Sequence, residues 1–425
     1  MNTVNEVLIS PIKEMEIRSV RIPGVVSLAQ GIPSFDTPEC VKRKAIEAIQ
    51  DGKVARYSLS PGLLELREAI EYDLSKQNIF YDFENEIIIT AGSIEAITAT
   101  FLTILEPGDE VLIPDPTYTS YQSAIKTARG VPVFIPLNED RGWTFNIEQL
   151  KKRITPKTKA ILYCNPNNPT GTVYGRNQLM QIVELAELHN LYILSDEVYK
   201  DFLYDRNEEF FTLAKLQTFR KRFVYIFSFS KAYAMTGWRV AYLATDKKLA
   251  RKILGVHDAL VTCAPVVSQW AALAALEMAK SDIDAYRTEF KHRRKLICRK
   301  LDGMSEWLEY EKPSSAYFIF PKMTKKCVNE FADYQKQHPF KTDDTKPHQI
   351  RSLSWRFSLE LLNKVGTVVV PGVAFGPTGE NHIRLCFGQK RRDIIKAMDR
   401  IKRFFEQIQR SNRDNPVKKH NEKNI

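Results

Sequence analysis

The pattern of hydrophobic positions predicts short buried strands that alternate with amphipathic helices. Compact apolar runs rich in β-branched and aromatic residues are typical of buried strands, and we place them at residues 86–93, 110–113, 160–164, 191–194 and 223–227. Helical spacing of apolar residues is found at 64–74, 94–105 and 177–189. Helix 177–189 between two strands makes a β-α-β unit. It predicts a parallel sheet, which binds ligands at the C-terminal ends of its strands.

The final third of the chain has a different pattern. Strands at 316–320, 365–370 and 382–387 lie among helices, which indicates a smaller α+β domain. A chain of 425 residues exceeds the size at which one core usually stops growing. We therefore predict an α/β protein with a large domain at 46–285, built on a mainly parallel sheet flanked by helices. The small domain is predicted to be discontinuous, at 1–45 and 286–410.

Some segments do not fit this simple plan. The helix predicted at 283–300 bridges the two domains, and its basic cluster at 291–295 is interpreted as a solvated face. Residues 323–354 are long and polar for a connection, which predicts a surface elaboration or a partner-binding loop. Residues 411–425 hold too few apolar side chains for a core and are predicted to be a disordered tail.

Composition and charge narrow the class of protein. The chain is 44% hydrophobic and 27% charged, which is typical of a soluble globular protein, and no apolar run approaches the length of a membrane span. Residues 1–10 lack the layout of a signal peptide, so we expect a cytoplasmic protein. The six cysteines are scattered without metal-ligand spacing, and no metal is expected. The net charge of +11 is spread along the chain, which argues against a nucleic-acid partner.

The most informative stretch is Phe223 to Arg239, F-V-Y-I-F-S-F-S-K-A-Y-A-M-T-G-W-R. Its predicted strand ends in two hydroxyls, Ser228 and Ser230, directly before Lys231. A lysine at the mouth of a core is partly desolvated, which favours the neutral amine that can attack a carbonyl. Arg239 can then hold an anion. The combination suggests a cofactor with an aldehyde and a phosphate, which is pyridoxal phosphate.

This motif, S-x-S-K-x(4)-T-G-W-R, resembles the cofactor-lysine signature of the class I/II aminotransferases, the fold-type I pyridoxal-phosphate enzymes, with aspartate aminotransferase as the reference. The resemblance covers roughly residues 25–404. It implies the fold-type I architecture, a catalytic Lys231, and a cofactor held in part by Ser228, Ser230 and Arg239.

Further motifs agree with the family in order and spacing. E-I-I-I-T-A-G-S ends a strand at a helix start, where free backbone N–H groups bind phosphate, so the resemblance places the cofactor phosphate at Gly92, Ser93 and Ile94. By position in the P-x-Y-x-x-Y pattern, Tyr118 is the residue that stacks on the ring. In N-P-x-N-P-T-G, Asn168 is the donor to the ring oxygen.

The polar group at the end of strand 191–194 completes the predicted cofactor site. Asp196 matches the carboxylate that keeps the pyridine nitrogen protonated, which strengthens the ring as an electron sink, and Tyr199 matches the tyrosine that bonds the ring oxygen. Tyr57 begins a Y-x(4)-G-x(3)-L-R-x-A segment, whose tyrosine in the family reaches the phosphate of the other subunit. The resemblance therefore implies a homodimer.

Two positions are predicted to bind the substrate carboxylate. In the family a glycine that matches Gly31 donates its backbone N–H, and an arginine that matches Arg384 grips the carboxylate with its planar fork. Asn168 is also expected next to the substrate.

The resemblance implies an aminotransferase that moves the amino group of an L-amino acid to a 2-oxo acid such as 2-oxoglutarate, by a ping-pong mechanism through pyridoxamine phosphate. The amino acid stays open among aspartate, aromatic amino acids, alanine and kynurenine. A lyase or decarboxylase on the same cofactor is the alternative, because the cofactor site does not alone choose the bond that breaks. A non-catalytic regulator would need an N-terminal DNA-binding module, and the segment before Val25 is short.

Overall fold

The structure is a computed structural model that describes residues 9–205, 210–339 and 346–414. In these residues the helices are α1 (Pro11–Ser19), α2 (Glu39–Gln50), α3 (Leu64–Ser75), α4 (Ser93–Ile104), α5 (Ser120–Thr127), α6 (Ile147–Arg153), α7 (Arg176–Leu188), α8 (Phe229–Ala232), α9 (Lys247–Val261), α10 (Val266–Met278), α11 (Lys280–Asp302), α12 (Lys325–Gln337), α13 (Pro347–Arg351), α14 (Leu353–Val365) and α15 (Arg391–Arg413).

The strands of the described residues are short. They are β1 (Val26–Ser27), β2 (Ile87–Thr90), β3 (Glu110–Asp115), β4 (Val131–Pro136), β5 (Thr158–Cys164), β6 (Tyr192–Asp196), β7 (Phe223–Ser228), β8 (Ala241–Ala244), β9 (Leu308–Glu309), β10 (Phe318–Ile319), β11 (Lys322–Met323), β12 (Thr367–Val368), β13 (Val370–Pro371) and β14 (Ile383–Cys386).

The described chain divides into two compact units. The first contains Ile32–Phe290 and Ser314–Ala316, and the second contains Ile9–Gly31, Lys291–Pro313 and residues 317–414. The predicted boundary at residues 45 and 46 falls inside α2, whereas α2 belongs wholly to the first unit. Its buried face, Val41, Ala45 and Ala48, has helical spacing, and the helix packs on α10 of the same unit.

The first unit is built on a seven-stranded sheet of order β2-β8-β7-β6-β5-β3-β4. Strands β4, β3, β5, β6 and β7 pair in parallel, and β8 runs antiparallel to both of its neighbours. Nearly every residue of β5, β6 and β7 is buried, as expected for a parallel sheet covered by helices on both faces. The predicted α/β class with a mainly parallel central sheet is confirmed.

The second unit is a mixed α and β structure. Strands β10, β14 and β13 form an antiparallel sheet, and β1 pairs in parallel with β12. Its helices share an aromatic core in which Phe331 of α12, Phe357 of α14 and Phe404 of α15 lie with ring centroids 5.2 to 6.4 Å apart. This is the smaller α+β unit that the strand pattern predicts.

The structure corrects two predictions about polar segments. The segment 323–354 is not only a surface elaboration: Cys327, Phe331 and Tyr334 form a buried stripe of α12, because they recur at helical spacing. The basic cluster at 291–295 is not fully solvated. Arg293 and Arg294 are 5% and 2% exposed, and they donate hydrogen bonds to the carbonyl oxygens of Gly388 and Pro313, respectively.

The end of the chain also differs from the prediction. Helix α15 continues to Arg413, so the start of the predicted disordered tail is helical. Asn412 is 5% exposed and donates to the carbonyl oxygen of Glu330, which ties this last turn to α12. The rest of the predicted tail, 415–425, lies outside the described residues. Among the described residues, no helix is long and apolar enough to cross a membrane.

Candidate active site

The C-terminal ends of β3, β5, β6 and β7 surround one pocket in the first unit. This is the edge where a parallel sheet binds ligands. Its lining residues are Ser93, Ile94, Tyr118, Tyr121, Cys164, Asn168, Asp196, Val198, Tyr199, Ser228, Ser230, Lys231 and Arg239. Ten of them come from the predicted cofactor site, although those residues span the chain from 93 to 239.

Lys231 is presented by a sharp change from strand to helix. Strand β7 ends at Ser228, whose side chain accepts a hydrogen bond from the backbone N–H of Ser230 and so caps the single turn of α8. The Ser228 hydroxyl also donates to Oγ of Ser230, at 3.0 Å. Lys231 lies in that turn, with Nζ 6.0 Å from the ring centroid of Tyr199. The two predicted serines therefore hold the turn that carries the lysine.

Asp196 ends β6 inside the pocket and is 3% exposed. Its Oδ2 accepts a hydrogen bond of 2.7 Å from the hydroxyl of Tyr121. Its Oδ1 has no hydrogen-bond partner among the described residues. Burial raises the pKa of the Asp196 carboxyl to about 6, and the Tyr121 hydrogen bond opposes that rise. The site therefore contains a buried carboxylate. One of its oxygens accepts a hydrogen bond from Tyr121, and the other can accept one from a ligand.

The next residue, Glu197, points to a different set of partners. It is 1% exposed, and its Oε1 accepts hydrogen bonds from the hydroxyls of Ser195 and Thr212, at 2.9 and 2.7 Å. Burial raises the pKa of the Glu197 carboxyl to about 7, against a smaller opposing effect of the Thr212 hydrogen bond. Two successive carboxyls thus differ in surroundings, and only Asp196 lines the pocket.

The predicted phosphate end of the pocket is a helix N-terminus. Gly92 caps α4 with a φ of 92°, a conformation that glycine adopts without strain. A Cβ on Gly92 would lie 2.3 Å from Nη2 of Arg239, so a larger residue would collide with that side chain. Arg239 donates to the carbonyl oxygens of Thr236 and Ala91. A positive side chain and the first N–H groups of α4 therefore meet at one place, which suits an anion.

Asn168 belongs to a loop that hydrogen bonds hold in shape. Asn168 is 3% exposed. The neighbouring Asn167 donates from its side chain to Oγ1 of Thr170 and to the carbonyl oxygen of Pro116, and it accepts from the backbone N–H of Gly171. The amide of Asn168 is thus carried on a loop with little freedom. On another wall, the Tyr118 ring packs edge-on against Tyr121, with ring centroids 5.4 Å apart.

The predicted carboxylate-binding residues lie together in the second unit. Arg384 of β14 is 1% exposed and donates from Nη2 to the carbonyl oxygen of Ala29. Its Cζ lies 4.6 Å from the ring centroid of Phe318 and 5.0 Å from that of Phe375. A Cβ on Gly31 would lie 2.9 Å from Cζ of Phe318, so Gly31 and Arg384 pack on the same ring. These contacts fix the plane of the guanidinium.

Tyr57 is not in the pocket. Its side chain is 83% exposed on the first unit, in a loop whose Ser58 accepts a hydrogen bond from Gln269. Sequence reasoning assigned no role to Tyr121, Cys164 or Val198, all of which line the pocket. Tyr121 could have been found, because it is the second tyrosine of the P-x-Y-x-x-Y pattern that identified Tyr118.

Comparison with known proteins gives a consistent result. The model of the family "Aminotransferase class I and II" matches residues 23–401. The chain is 35% identical to the aromatic-amino-acid aminotransferase 2 of Thermococcus litoralis, covering 91% of this chain and 93% of that protein. It is 34% identical to the aspartate aminotransferase of Pyrococcus abyssi, covering 93% and 95%.

A solved structure shows the same fold. The aspartate aminotransferase of Thermus thermophilus, crystallised with maleate, is similar with a TM-score of 0.82 and 30% identity, covering 95% of this chain and 98% of that one. The recognised motifs, the parallel sheet and these relatives agree over nearly the whole described chain. The chain therefore belongs to the aminotransferase class I and II family.

Proposed function

We propose that this protein is a pyridoxal-phosphate-dependent aminotransferase that moves the amino group of an L-amino acid to a 2-oxo acid. One observation carries the proposal. Asp196 is buried with Oδ2 bonded to Tyr121 and Oδ1 without a partner among the described residues, in the pocket that also contains Lys231 and Arg239. A buried acceptor without a donor is costly unless a ligand supplies one.

The residues present fit pyridoxal phosphate. Its ring nitrogen, protonated, is the donor that Oδ1 of Asp196 requires, and its phosphate suits the N-terminus of α4 beside Arg239. Tyr118 offers a face for the ring, and the amide of Asn168 and the hydroxyl of Tyr199 suit the ring oxygen. Lys231 supplies the amine for the aldehyde.

When bound, pyridoxal phosphate supplies an aldehyde that takes up the amino group and a ring that withdraws the electron pair of the substrate α-carbon. Asp196, ionised, favours the protonated ring nitrogen and so favours that withdrawal. Lys231 then acts first as a base and afterwards as an acid. Its Nζ accepts the proton of the substrate α-carbon and later donates that proton to the cofactor carbon. Arg384 orients the α-carboxylate with two parallel hydrogen bonds.

For the substrate, we propose an amino acid of the aspartate or aromatic type. Of the two relatives compared above, one is named for aromatic amino acids and the other for aspartate, and they are 35% and 34% identical to this chain. We further propose 2-oxoglutarate as the acceptor, and ping-pong kinetics in which the first 2-oxo acid leaves before the second one binds. A cytoplasmic location stays a prediction. The six cysteines are all free thiols, which is typical of a reducing compartment.

We also propose a homodimer. Tyr57 has an exposed side chain, and the loop that carries it is held from within by Gln269, which accepts from the N–H of Leu63 and donates to Ser58. Such a fixed loop with an exposed tyrosine suits a role at the site of a second subunit. Leu59, in the same loop, is 71% exposed.

The deciding experiment is the visible absorption spectrum of the purified protein with pyridoxal phosphate, followed while single amino acids are added without any oxo acid. We expect the cofactor band to disappear with aspartate or an aromatic amino acid and to return when 2-oxoglutarate is added. A Lys231→Ala variant is the control for covalent attachment. A band that persists while ammonia or carbon dioxide is released would replace the aminotransferase with a lyase or decarboxylase.

A further inference from the structure

Outside the pocket, a buried histidine contacts a partly buried glutamate close to the predicted phosphate-binding segment. His257 of α9 is 0% exposed, and its Nδ1 lies 3.1 Å from Oε1 of Glu95 in the first turn of α4. An ionised carboxylate only accepts hydrogen bonds, so Nδ1 carries the hydrogen in this contact. Neither residue lines the pocket, and the chemistry proposed above uses neither of them.

Glu95 connects this pair to the loop. Its second oxygen, Oε2, accepts a hydrogen bond of 3.1 Å from the backbone N–H of Ala91. The carbonyl oxygen of Ala91 accepts from Nη2 of Arg239, at 3.4 Å. Glu95 thus binds the amide of Ala91, and Arg239 binds its carbonyl. The short segment between β2 and α4 is therefore held from two directions.

These hydrogen bonds affect the orientation of the N–H groups that form the predicted anion site. Gly92 follows Ala91 with a φ of 92° and caps α4, whose first free N–H groups belong to Ser93 and Ile94. A glycine in this conformation has wide backbone freedom, so the glycine alone does not fix where those N–H groups point. A fixed amide plane at Ala91 reduces that freedom before any ligand binds.

We propose that His257 and Glu95 are positioning residues that hold the Ala91–Gly92 segment in the conformation that binds the phosphate of the cofactor. The proposal rests on the proposed function, because it takes the N-terminus of α4 as the phosphate site. Glu95 acts through the amide of Ala91, and His257 acts through Glu95. Their effect is specific to the phosphate, since neither side chain lines the pocket that surrounds the ring.

The test compares two ligands that differ only in the phosphate. Dissociation constants of pyridoxal phosphate and of pyridoxal are measured on the apoprotein by absorption, with the signal from other lysines subtracted by use of Lys231→Ala. Glu95→Ala is expected to weaken pyridoxal phosphate about tenfold, the effect of one lost hydrogen bond to a charged group, and to leave pyridoxal within about twofold. Inorganic phosphate, as a competitor, should weaken in parallel with pyridoxal phosphate.

Conservative and control variants sharpen the result. Glu95→Gln keeps an oxygen for the Ala91 amide and should stay within about threefold of the wild type. His257→Leu fills the buried space without a donor, and it should weaken pyridoxal phosphate about threefold to tenfold even if Glu95→Ala does not fold. Thr103→Ala removes a hydrogen bond to the carbonyl oxygen of Ala99 near the far end of α4 and should change neither ligand.

The possible outcomes separate the two proposals. Equal losses for pyridoxal phosphate and pyridoxal, or no loss for either, would overturn the positioning role. A wild-type protein that binds both ligands equally would instead refute the phosphate site and the proposed function with it. A loss confined to the phosphorylated ligand and to inorganic phosphate supports the positioning role.

Discussion

The hydroxyl of Tyr121 donates a 2.7 Å hydrogen bond to Oδ2 of Asp196, and both side chains are buried. Tyr121 is the second residue of α5, and Asp196 ends β6, 75 residues later in the chain. Burial raises the pKa of the Asp196 carboxyl to about 6, and the hydrogen bond from Tyr121 limits that rise because it favours the ionised form. We therefore expect Tyr121 to influence cofactor binding through Asp196.

Tyr121→Phe should raise the pH below which the affinity for the cofactor falls, which we call the acid limit of cofactor binding. Protonated Asp196 cannot pair with a protonated ring nitrogen, so in the wild type we expect affinity to fall as the pH drops through about 6. Loss of the hydrogen bond raises the pKa of Asp196 further, which moves this limit upward. The measurement is the dissociation constant of pyridoxal phosphate between pH 5 and 8.

Tyr174→Phe is the matched control for this change. Tyr174 is fully buried, and its hydroxyl has no hydrogen-bond partner among the described residues. It should leave the acid limit where the wild type has it. An unshifted limit in Tyr121→Phe would show that this hydrogen bond does not govern the ionisation of Asp196.

Glu197→Gln should remove a pH dependence of stability. The pKa of Glu197 is raised from 4.5 to about 7 in the folded protein, so the folded state binds this proton more tightly than the unfolded state. The resulting stability is present below pH 4.5 and is lost as the pH rises to about 7, by roughly 3 kcal/mol in total. Glutamine stays neutral over this pH range, so the variant does not lose this stability as the pH rises.

Urea unfolding at several pH values between 4.5 and 8 measures the effect of Glu197→Gln. The difference in unfolding free energy between wild type and variant should change across that window in favour of the variant. Glu184→Gln, on an exposed face of α7, should show no such trend. Parallel pH curves for wild type and Glu197→Gln would mean that Glu197 does not titrate in this window.

Arg384→Lys should weaken binding of amino acids and spare the cofactor. The guanidinium is held between Phe318 and Phe375, which sets the plane of its fork, and a lysine offers a single point charge instead. We expect kcat/KM for amino acids to fall about 100-fold, an effect of roughly 3 kcal/mol, while the affinity for pyridoxal phosphate stays unchanged. Steady-state kinetics and cofactor titration measure the two quantities.

Two controls test the assignment to the carboxylate. Amines that lack an α-carboxylate should react equally slowly with wild type and Arg384→Lys. Arg400→Lys alters another arginine of the second unit, which donates to the carbonyl oxygens of Gly366 and Gly24, and kcat/KM should not change. A similar loss for amines and amino acids would remove Arg384 from carboxylate binding.

A mixture of two variants that each bind the cofactor weakly should recover tight binding if sites are shared between subunits. Lys231→Ala lacks the amine, and Tyr57→Phe lacks the hydroxyl proposed to reach the partner's phosphate. A hybrid dimer of the two has one site with both changes and one site with neither, so tight cofactor binding should return in about half of its sites. Refolded mixtures are titrated with pyridoxal phosphate and compared with each variant alone.

The exposed Tyr72 provides a comparison, since its side chain is 65% exposed on the same unit. Mixing Tyr72→Phe with Lys231→Ala should give only the sum of the separate proteins. No recovery with Tyr57→Phe, in a protein that sedimentation shows to be dimeric, would place Tyr57 outside the partner's site.

The sequence predicted the sheet and most of the pocket because both depend on local signals. Buried parallel strands are continuous apolar runs, and ligands bind where such strands end, which is where Asn168, Asp196 and Lys231 lie. The resemblance to the family motifs then gave Asn168 and Asp196 their predicted roles. The same reasoning could not show that Tyr121 meets Asp196, since the contact depends on how α5 packs beside β6.

The sequence also failed to predict which polar and basic side chains are buried. Arg293 and Arg294 were predicted to lie on a solvated face, but both are buried and donate hydrogen bonds to carbonyl oxygens. In the polar segment 323–354, α12 contains a buried stripe that the sequence did not predict. The pair of His257 and Glu95 joins residues 162 positions apart. Strand ends and motifs are short-range properties of the chain, and the sequence determined them. Which polar groups share a buried environment depends on long-range packing, and only the tertiary structure decided it.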